Sequence, residues 1–433
     1  MPIKYKRQDY LEKYGSVMQF DKNKNEYIHR WYPFVEGYSK EFIWSIINEL
    51  DYIPTSCLDP FSGSGTTPLE LQKLGIKCTS FEVCPFMYDL SVSKMRTDYT
   101  IDGFKKNINI LNECLNNIPE NINTLFTIPK SRYIVEKEDI KRWNFNKDVF
   151  DGIVDLKFAI SCITDIKYRK LFTIALASIL LKVSNVYRNG KCVSYKKNWK
   201  DKISLSREDI HNIYFNRINE VFFPDIEKIE NYKLSKKLVS NYKNCKFGDV
   251  RKEILNLDDN STDLIITSPP YLNSRDYTDS YMVELRMLDY FNKFDSMNQY
   301  RSRTIRSHVQ VKWPEIKPLN ISLLNNSVAD ISKQKELFWN DSLINMINGY
   351  FQDMDSIFDN FSRVLTNNGH IFFNIANSAY YGIEIKVDEI IAEIAESKGL
   401  KVKEIRNARF INPSSQQKKS ISHLIESVLV ITK

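Results

Sequence analysis

A chain of 433 residues, 42% apolar and 27% charged, is long enough for one elaborated catalytic domain or two domains, and its composition excludes a disordered or fibrous protein. Its net charge of +7 is modest for the size, so contact with a polyanion has to come from local clusters. Seven cysteines form neither a C-x-x-C pair nor a His-paired zinc spacing, and they read as reduced, packed thiols with no metal site. The basic start Met1-Pro2-Ile3-Lys4 has no apolar segment behind it, and the apolar stretch 171–181 is too short to span a bilayer, so a cytoplasmic protein without membrane contact is expected.

Taken in chain order, an aromatic segment runs from Tyr27 to Phe34 and includes His29 and Tyr32; Ser39 follows beside Tyr38. A lone His next to Trp31 and Tyr32 reads as structural rather than catalytic. Cys57-Leu58-Asp59 then reads as a strand running into Pro60-Phe61-Ser62-Gly63-Ser64-Gly65-Thr66-Thr67-Pro68, a helix over 69–74, and a second strand ending at Glu82. Only thirteen glycines occur in the chain, yet two fall within three residues here, where a tight turn and close ligand approach need them. Thr66 or Thr67 is placed to cap the helix, with Pro68 in its first turn. A helix is expected over 85–95.

From about 100 to 240 the β/α alternation gives way to a mainly helical insertion, including 153–186. It carries a basic segment, 187–202, with six Lys or Arg against one acid and three aromatics. Alternation resumes at 245–249, and the apolar run Leu264-Ile265-Ile266 leads into Thr267-Ser268-Pro269-Pro270-Tyr271. A second basic cluster spans 301–308. Beyond it the pattern predicts a helix over 354–365, a turn at Asn368-Gly369, strands over 370–376, 400–405 and 427–431, and a helix over 387–395. Strands alternating with helices imply an α/β fold with a doubly wound, mostly parallel sheet, which holds ligands at the carboxyl ends of its strands. Asp59, Glu82, Asp249 and Ser268 all fall at such ends. The expected organisation is an N-terminal half over 1–99, the insertion over 100–240 and a C-terminal half over 241–433.

Two consecutive prolines remove two N–H donors and leave carbonyl oxygens free to accept. A Ser hydroxyl before them and a Tyr ring behind them suit a planar group bearing an NH2, such as a flipped-out nucleobase. Alone, the motif reads equally as a strand-terminating turn. The glycine loop adds a cofactor: Glu82 is placed for ribose hydroxyls as in dinucleotide-binding units, but Pro68 stands where the dinucleotide pattern wants a third glycine. That departure argues against NAD and for another adenosine-containing cofactor.

Asp-Pro-Phe-Ser-Gly-Ser-Gly-Thr together with Thr-Ser-Pro-Pro-Tyr resembles the paired signature of the bacterial amino-methylating DNA methyltransferases, and the Ser-Pro-Pro-Tyr form resembles their cytosine-N4 branch. The resemblance implies a Rossmann-like S-adenosyl-L-methionine-dependent fold whose last strand runs antiparallel. It also implies a cofactor-binding half over 1–99, a catalytic half over 241–433, a double-stranded DNA substrate met by the insertion over 100–240 as target-recognition region and by 291–345 as a second segment, and functional pairing with a restriction endonuclease. It places Asp59 at the methionine amino group, Pro60, Phe61, Gly63, Gly65 and Thr66 around the cofactor, Glu82 on its ribose, Asp249 at its adenine, and Tyr32 and Ser39 beside its methionine end. Ser268, Pro269, Pro270 and Tyr271 become the catalytic loop. Arg188, Lys191, Lys196, Lys197, Arg275, Arg301, Arg303 and Arg306 are the expected DNA contacts. Adenine-N6 methylation is the alternative; an RNA amine methyltransferase, a silent DNA-binding protein and a protein glutamine methyltransferase are weaker ones, disfavoured by Ser268 or by the undamaged motifs.

Overall fold

The computed structural model describes residues 4–120, 122, 134–189, 193–235, 239–273, 276–291, 294–414 and 417–433. Its centre is an eight-stranded sheet built from β1 (Arg7–Asp9), β2 (Ser56–Asp59), β3 (Lys77–Glu82), β4 (Cys245–Phe247), β5 (Thr262–Thr267), β6 (Leu365–Ala376), β7 (Lys401–Ile411) and β8 (Leu424–Thr432). The strand order is β1-β7-β8-β6-β5-β2-β3-β4. All neighbours pair parallel except β8, which runs antiparallel to both β6 and β7.

The apolar run of β5 follows from its central position. Successive side chains alternate faces, so Leu264 and Ile266 pack with Phe42, Ile46 and Val428 on one side, while Ile265 packs with Met354, Phe358 and Phe373 on the other. The helix Leu343–Val364 covers that second face. A third apolar cluster joins the helices Lys147–Ser161 and Ile166–Val183 of the insertion to Trp31, Tyr32, Leu69, Phe86 and Leu90. Buried Asp225, also from the insertion, fastens the N-terminal segment by accepting from Ile28 N at 2.8 Å and Trp31 Nε1 at 2.9 Å.

Several local expectations are corrected. The run 153–186 is two helices, interrupted where Asp165 caps the second, and Val186 already belongs to a short hairpin, Val186–Arg188 with Val193–Tyr195. The predicted turn at Asn368-Gly369 lies inside β6: Thr262 pairs with Leu365 but Leu264 pairs with His370, so the turn is looped out between two paired stretches. The helix before it starts eleven residues earlier than expected, at Leu343 rather than Met354, and β7 and β8 form a longer hairpin than the apolar runs alone suggest. Edge strand β1, with Arg7 paired to Ile405, was not foreseen. Because β8 is antiparallel, its first residues lie at the carboxyl edge of the parallel strands, with Glu426 opposite Ala376.

Candidate active site

The loop after β2 turns on two glycines at φ +50° (Gly63) and +80° (Gly65), conformations that suit a residue without Cβ. A Cβ on Gly65 would lie 2.4 Å from Ser91 Oγ, and one on Gly63 would lie 2.9 Å from the Phe34 ring. Gly65 itself is the N-cap of the helix Thr66–Lys73, so neither Thr66 nor Thr67 caps it; Thr67 Oγ1 is instead 2.6 Å from Tyr38 Oη.

Two carboxylates face this loop from adjacent strands. Glu82 accepts from Gly63 N at 2.8 Å and Cys84 N at 2.7 Å, while Asp59 accepts from Thr267 Oγ1 at 2.8 Å and Phe61 N at 3.3 Å. Burial pushes Asp59 up to about 6, against the pull of those hydrogen bonds. Burial likewise pushes Glu82 up to about 7, opposed by its two amides and reinforced by Asp59. No cationic side chain pairs with either among the described residues. The Ser62 and Ser64 hydroxyls of the same loop are buried with no hydrogen-bond partner. Two uncompensated carboxylates, orphan hydroxyls and a glycine turn fit a ligand that brings a cation and hydroxyl donors, as S-adenosyl-L-methionine does.

The aromatic segment reaches this loop through Phe34, whose ring stacks on Tyr281 at 6.0 Å between centroids. Tyr32 and Ser39 do not present free polar atoms to it. Tyr32 Oη donates to Glu284 at 2.7 Å and accepts from Arg188 at 3.0 Å, and buried Ser39 gives its hydroxyl to the Gln19 carbonyl. His29 is structural: fully buried, it lies 2.8 Å from Glu70, whose carboxylate also accepts from Lys73 and Trp44. Burial holds His29 neutral, down to about 4. Sequence reading missed Lys94, a fully buried amine that donates to the Ser64 carbonyl at 3.1 Å and holds the glycine loop from beneath.

Asp249 stands just beyond β4 and caps the helix Val250–Glu253 by accepting from Arg251 N at 3.0 Å. The Arg251 guanidinium lies on its carboxylate at 2.7 Å and bridges to Asp353, which also accepts from Arg306.

The Ser268-Pro269-Pro270-Tyr271 loop leaves β5 beside β2, and the Thr267 to Asp59 bond joins two motifs 208 positions apart. Tyr271 Oη donates to Glu426 at 2.6 Å and receives Asn374 Nδ2 at 2.8 Å and the Ser268 hydroxyl at 3.3 Å. Arg409 closes the cluster on the other oxygen of Glu426. Asn374, Arg409 and Glu426 come from β6, β7 and β8; Asn374 and Glu426 show in the sequence as polar residues among apolar neighbours, whereas Arg409 is one of several charged residues of β7.

The basic residues divide. Arg188 is buried with Glu284 at 2.9 Å and donates to the Ser280 carbonyl at 2.7 Å; Lys196 Nζ donates to the carbonyls of Leu181 and Lys182, ending the helix there. Arg301 binds Asp276 and Asp279, and Arg306 binds Asp353. These four are partly buried partners of carboxylates and carbonyls of the fold. Lys197 and Arg303 are exposed; Lys191 and Arg275 lie outside the described residues. Among the described residues no His, Cys, Asp or Glu group is arranged to hold a metal, and no helix is long and apolar enough to cross a membrane.

The sheet order, the antiparallel β8 and the helices on both faces make this a Rossmann-like methyltransferase fold. The chain is 24% identical over 439 residues to the Type II methyltransferase M.BsoBI of Geobacillus stearothermophilus, covering 89% of this chain and 81% of that protein. It is 26% identical over 421 residues to the Type II methyltransferase M.AvaI of Anabaena variabilis, covering 90% and 82%, and 22% identical over 413 residues to M.MvaI of Kocuria varians, covering 86% and 82%. No family model and no solved structure matches.

Proposed function

We propose that this protein transfers a methyl group from S-adenosyl-L-methionine to the exocyclic N4 amine of a cytosine flipped out of double-stranded DNA, within a short recognition sequence. On this reading it protects DNA from a cognate restriction endonuclease. The observation that carries the proposal is the 2.8 Å bond from Thr267, the residue before the amine-capturing Ser268, to Asp59 of the cofactor loop, which sets the two halves of the chemistry side by side. Similarity to Type II methyltransferases over 89–90% of this chain supports it.

The cofactor supplies an electrophilic methyl group on a sulfonium. Asp59 holds the cationic end, Glu82 takes ribose hydroxyls while organising the glycine turn, and Asp249, steadied by Arg251, faces the adenine amine. Pro60, Phe61 and Thr66 complete the loop. The cytosine amine is a poor nucleophile because its lone pair is delocalised into the ring. Ser268 Oγ and the Pro269 carbonyl accept hydrogen bonds from its two N–H groups, directing the lone pair toward the methyl group; one of those protons leaves to water after the N–C bond has formed, and Pro270 keeps that loop rigid. The gain comes chiefly from alignment in a site shielded from water. The Tyr271 ring stacks on the base, worth about 1–3 kcal/mol. Phosphate contacts are assigned to exposed Lys197 and Arg303, within the insertion and the 291–345 segment.

The test is expression of the wild type and Ser268→Ala in a methylation-free bacterial host, followed by direct sequencing of modified bases. Modified cytosine in one short motif, lost in the variant, is expected. Modified adenine would move the reaction to N6, and unmodified DNA from a soluble, cofactor-binding protein would refute the proposal.

A further inference from the structure

Ser268 is chemically ambiguous, because a hydroxyl both donates and accepts, yet capture of an amine needs an acceptor only. The side chains behind it remove the ambiguity. Arg409 pairs with one oxygen of Glu426, which is 1% exposed, and a carboxylate in an ion pair offers its neighbours acceptors only. Its other oxygen accepts a hydrogen bond from the Tyr271 hydroxyl at 2.6 Å. Burial and Glu426 together hold the Tyr271 phenol well above its ordinary range, so that proton stays on the ring oxygen. Tyr271 Oη, its proton spent, is left to accept: Asn374 Nδ2 fills one position at 2.8 Å and the Ser268 hydroxyl the other at 3.3 Å. Asn374 cannot be reversed without turning its carbonyl on Glu426, which its Nδ2 reaches at 3.0 Å. The Ser268 hydrogen is therefore spent toward Glu426; Asn374 Nδ2 reaches one lone pair of Ser268 Oγ at 3.5 Å, and the other faces the pocket as an acceptor.

We infer that Glu426, acting through Tyr271, is a positioning and specificity-determining residue that fixes Ser268 as an acceptor, so that the pocket takes a base with an amino group and rejects one with an oxo group in its place. A 4-oxo pyrimidine would set its oxygen against an oxygen with no proton to offer. This rests on the methyltransferase reading above and deepens it. It also gives the Tyr271 hydroxyl a role separate from stacking by its ring.

The test is a double-mutant cycle in the full-length protein, using single-turnover methyl transfer to a duplex carrying the motif found by genomic sequencing. Glu426→Gln keeps the shape but offers Tyr271 an N–H, reversing the chain; loss of a charge-assisted bond of this kind predicts a rate fall of about 10–100-fold. Cofactor affinity should change less than about twofold, the scatter of independent sites. In a Ser268→Ala background, Glu426→Gln should cost little more, because the group it orients is gone. Tyr271→Phe, which keeps the ring and cuts the chain, should give the same non-additivity and carries the test should Glu426→Gln fold poorly. Wild-type binding should favour a cytosine duplex over one with uracil at the target, and Glu426→Gln should shrink that preference. An equal loss in both backgrounds, or an undiminished preference, would overturn the inference while leaving the enzyme a methyltransferase. Failure of the methyltransferase reading itself shows separately, as unmodified DNA from the wild type.

Discussion

Glu82→Gln isolates the cost of burying a carboxylate beside the glycine loop. Burial pushes the Glu82 carboxyl up to about 7 from an ordinary 4.5, outweighing the amides that favour its charged form. A group raised by folding gives its full contribution below the unfolded pKa and loses it as pH rises through the folded one. Between pH 5 and pH 8 the wild type should therefore lose about 2–3 kcal/mol through this residue. Gln cannot ionise. It keeps one acceptor for either Gly63 N or Cys84 N and turns an NH2 toward the other, a penalty of about 1–3 kcal/mol that does not vary with pH. The quantity to read is thus the stability difference between the two proteins, from urea unfolding run in parallel at pH 5, 6, 7 and 8 without cofactor. It should move toward the variant by about 2–3 kcal/mol across that range. A difference that stays flat would refute the reasoning, since no buried ionisation would then be relieved. With S-adenosyl-L-methionine present the sign reverses, because a ligand that favours the ionised group binds better as it ionises. Wild-type affinity should rise about tenfold from pH 6 to pH 8, and the variant should show no such rise at Glu82.

Other outcomes follow from the same geometry. Arg188→Ala should destabilise the fold by about 3–5 kcal/mol in thermal or chemical unfolding, because it leaves Glu284, 1% exposed, without its cation; a change confined to DNA affinity would return Arg188 to the surface. Lys197→Ala with Arg303→Ala should leave stability within about 0.5 kcal/mol. The pair should lower the salt dependence of DNA binding by about one unit of slope for each residue, and an unchanged slope would remove them from the interface. Gly65→Ala combines φ +80° with a Cβ 3.1 Å from Ser91 Cα, whereas Gly75→Ala at φ +78° meets nothing within 4 Å. Gly75→Ala should cost about 1–2 kcal/mol and Gly65→Ala clearly more; equal losses would argue that the loop yields freely.

The sequence determined the elements whose reason is local. Short strand-like runs closed by turn residues announced β2, β3 and β5, because a strand must stop where a turn residue stands, and the run Leu264-Ile265-Ile266 is continuous because β5 is buried on both faces. The glycine loop and the Ser-Pro-Pro-Tyr loop were legible for the same reason, since backbone freedom at Gly63 and Gly65 and rigidity at Pro269 and Pro270 are properties of single residue types. The placement of Asp59, Glu82, Asp249 and Ser268 at strand ends followed from β/α alternation alone.

What only the tertiary structure decided is which polar groups meet. Arg188, Lys196, Arg301 and Arg306 read in sequence only as members of two basic clusters, because charge in a chain carries no record of its partner. Folding sets Arg188 on Glu284, 96 positions away, and Arg306 on Asp353. Asn374, Arg409 and Glu426 left no motif, since each is one polar residue in a different strand. The antiparallel run of β8 carries Glu426 to the carboxyl edge, and the β6-β8-β7 order then sets all three behind Ser268. Residue type and short-range periodicity govern backbone conformation, whereas hydrogen-bond partnership is a long-range property that exists only once strand order and direction have been fixed.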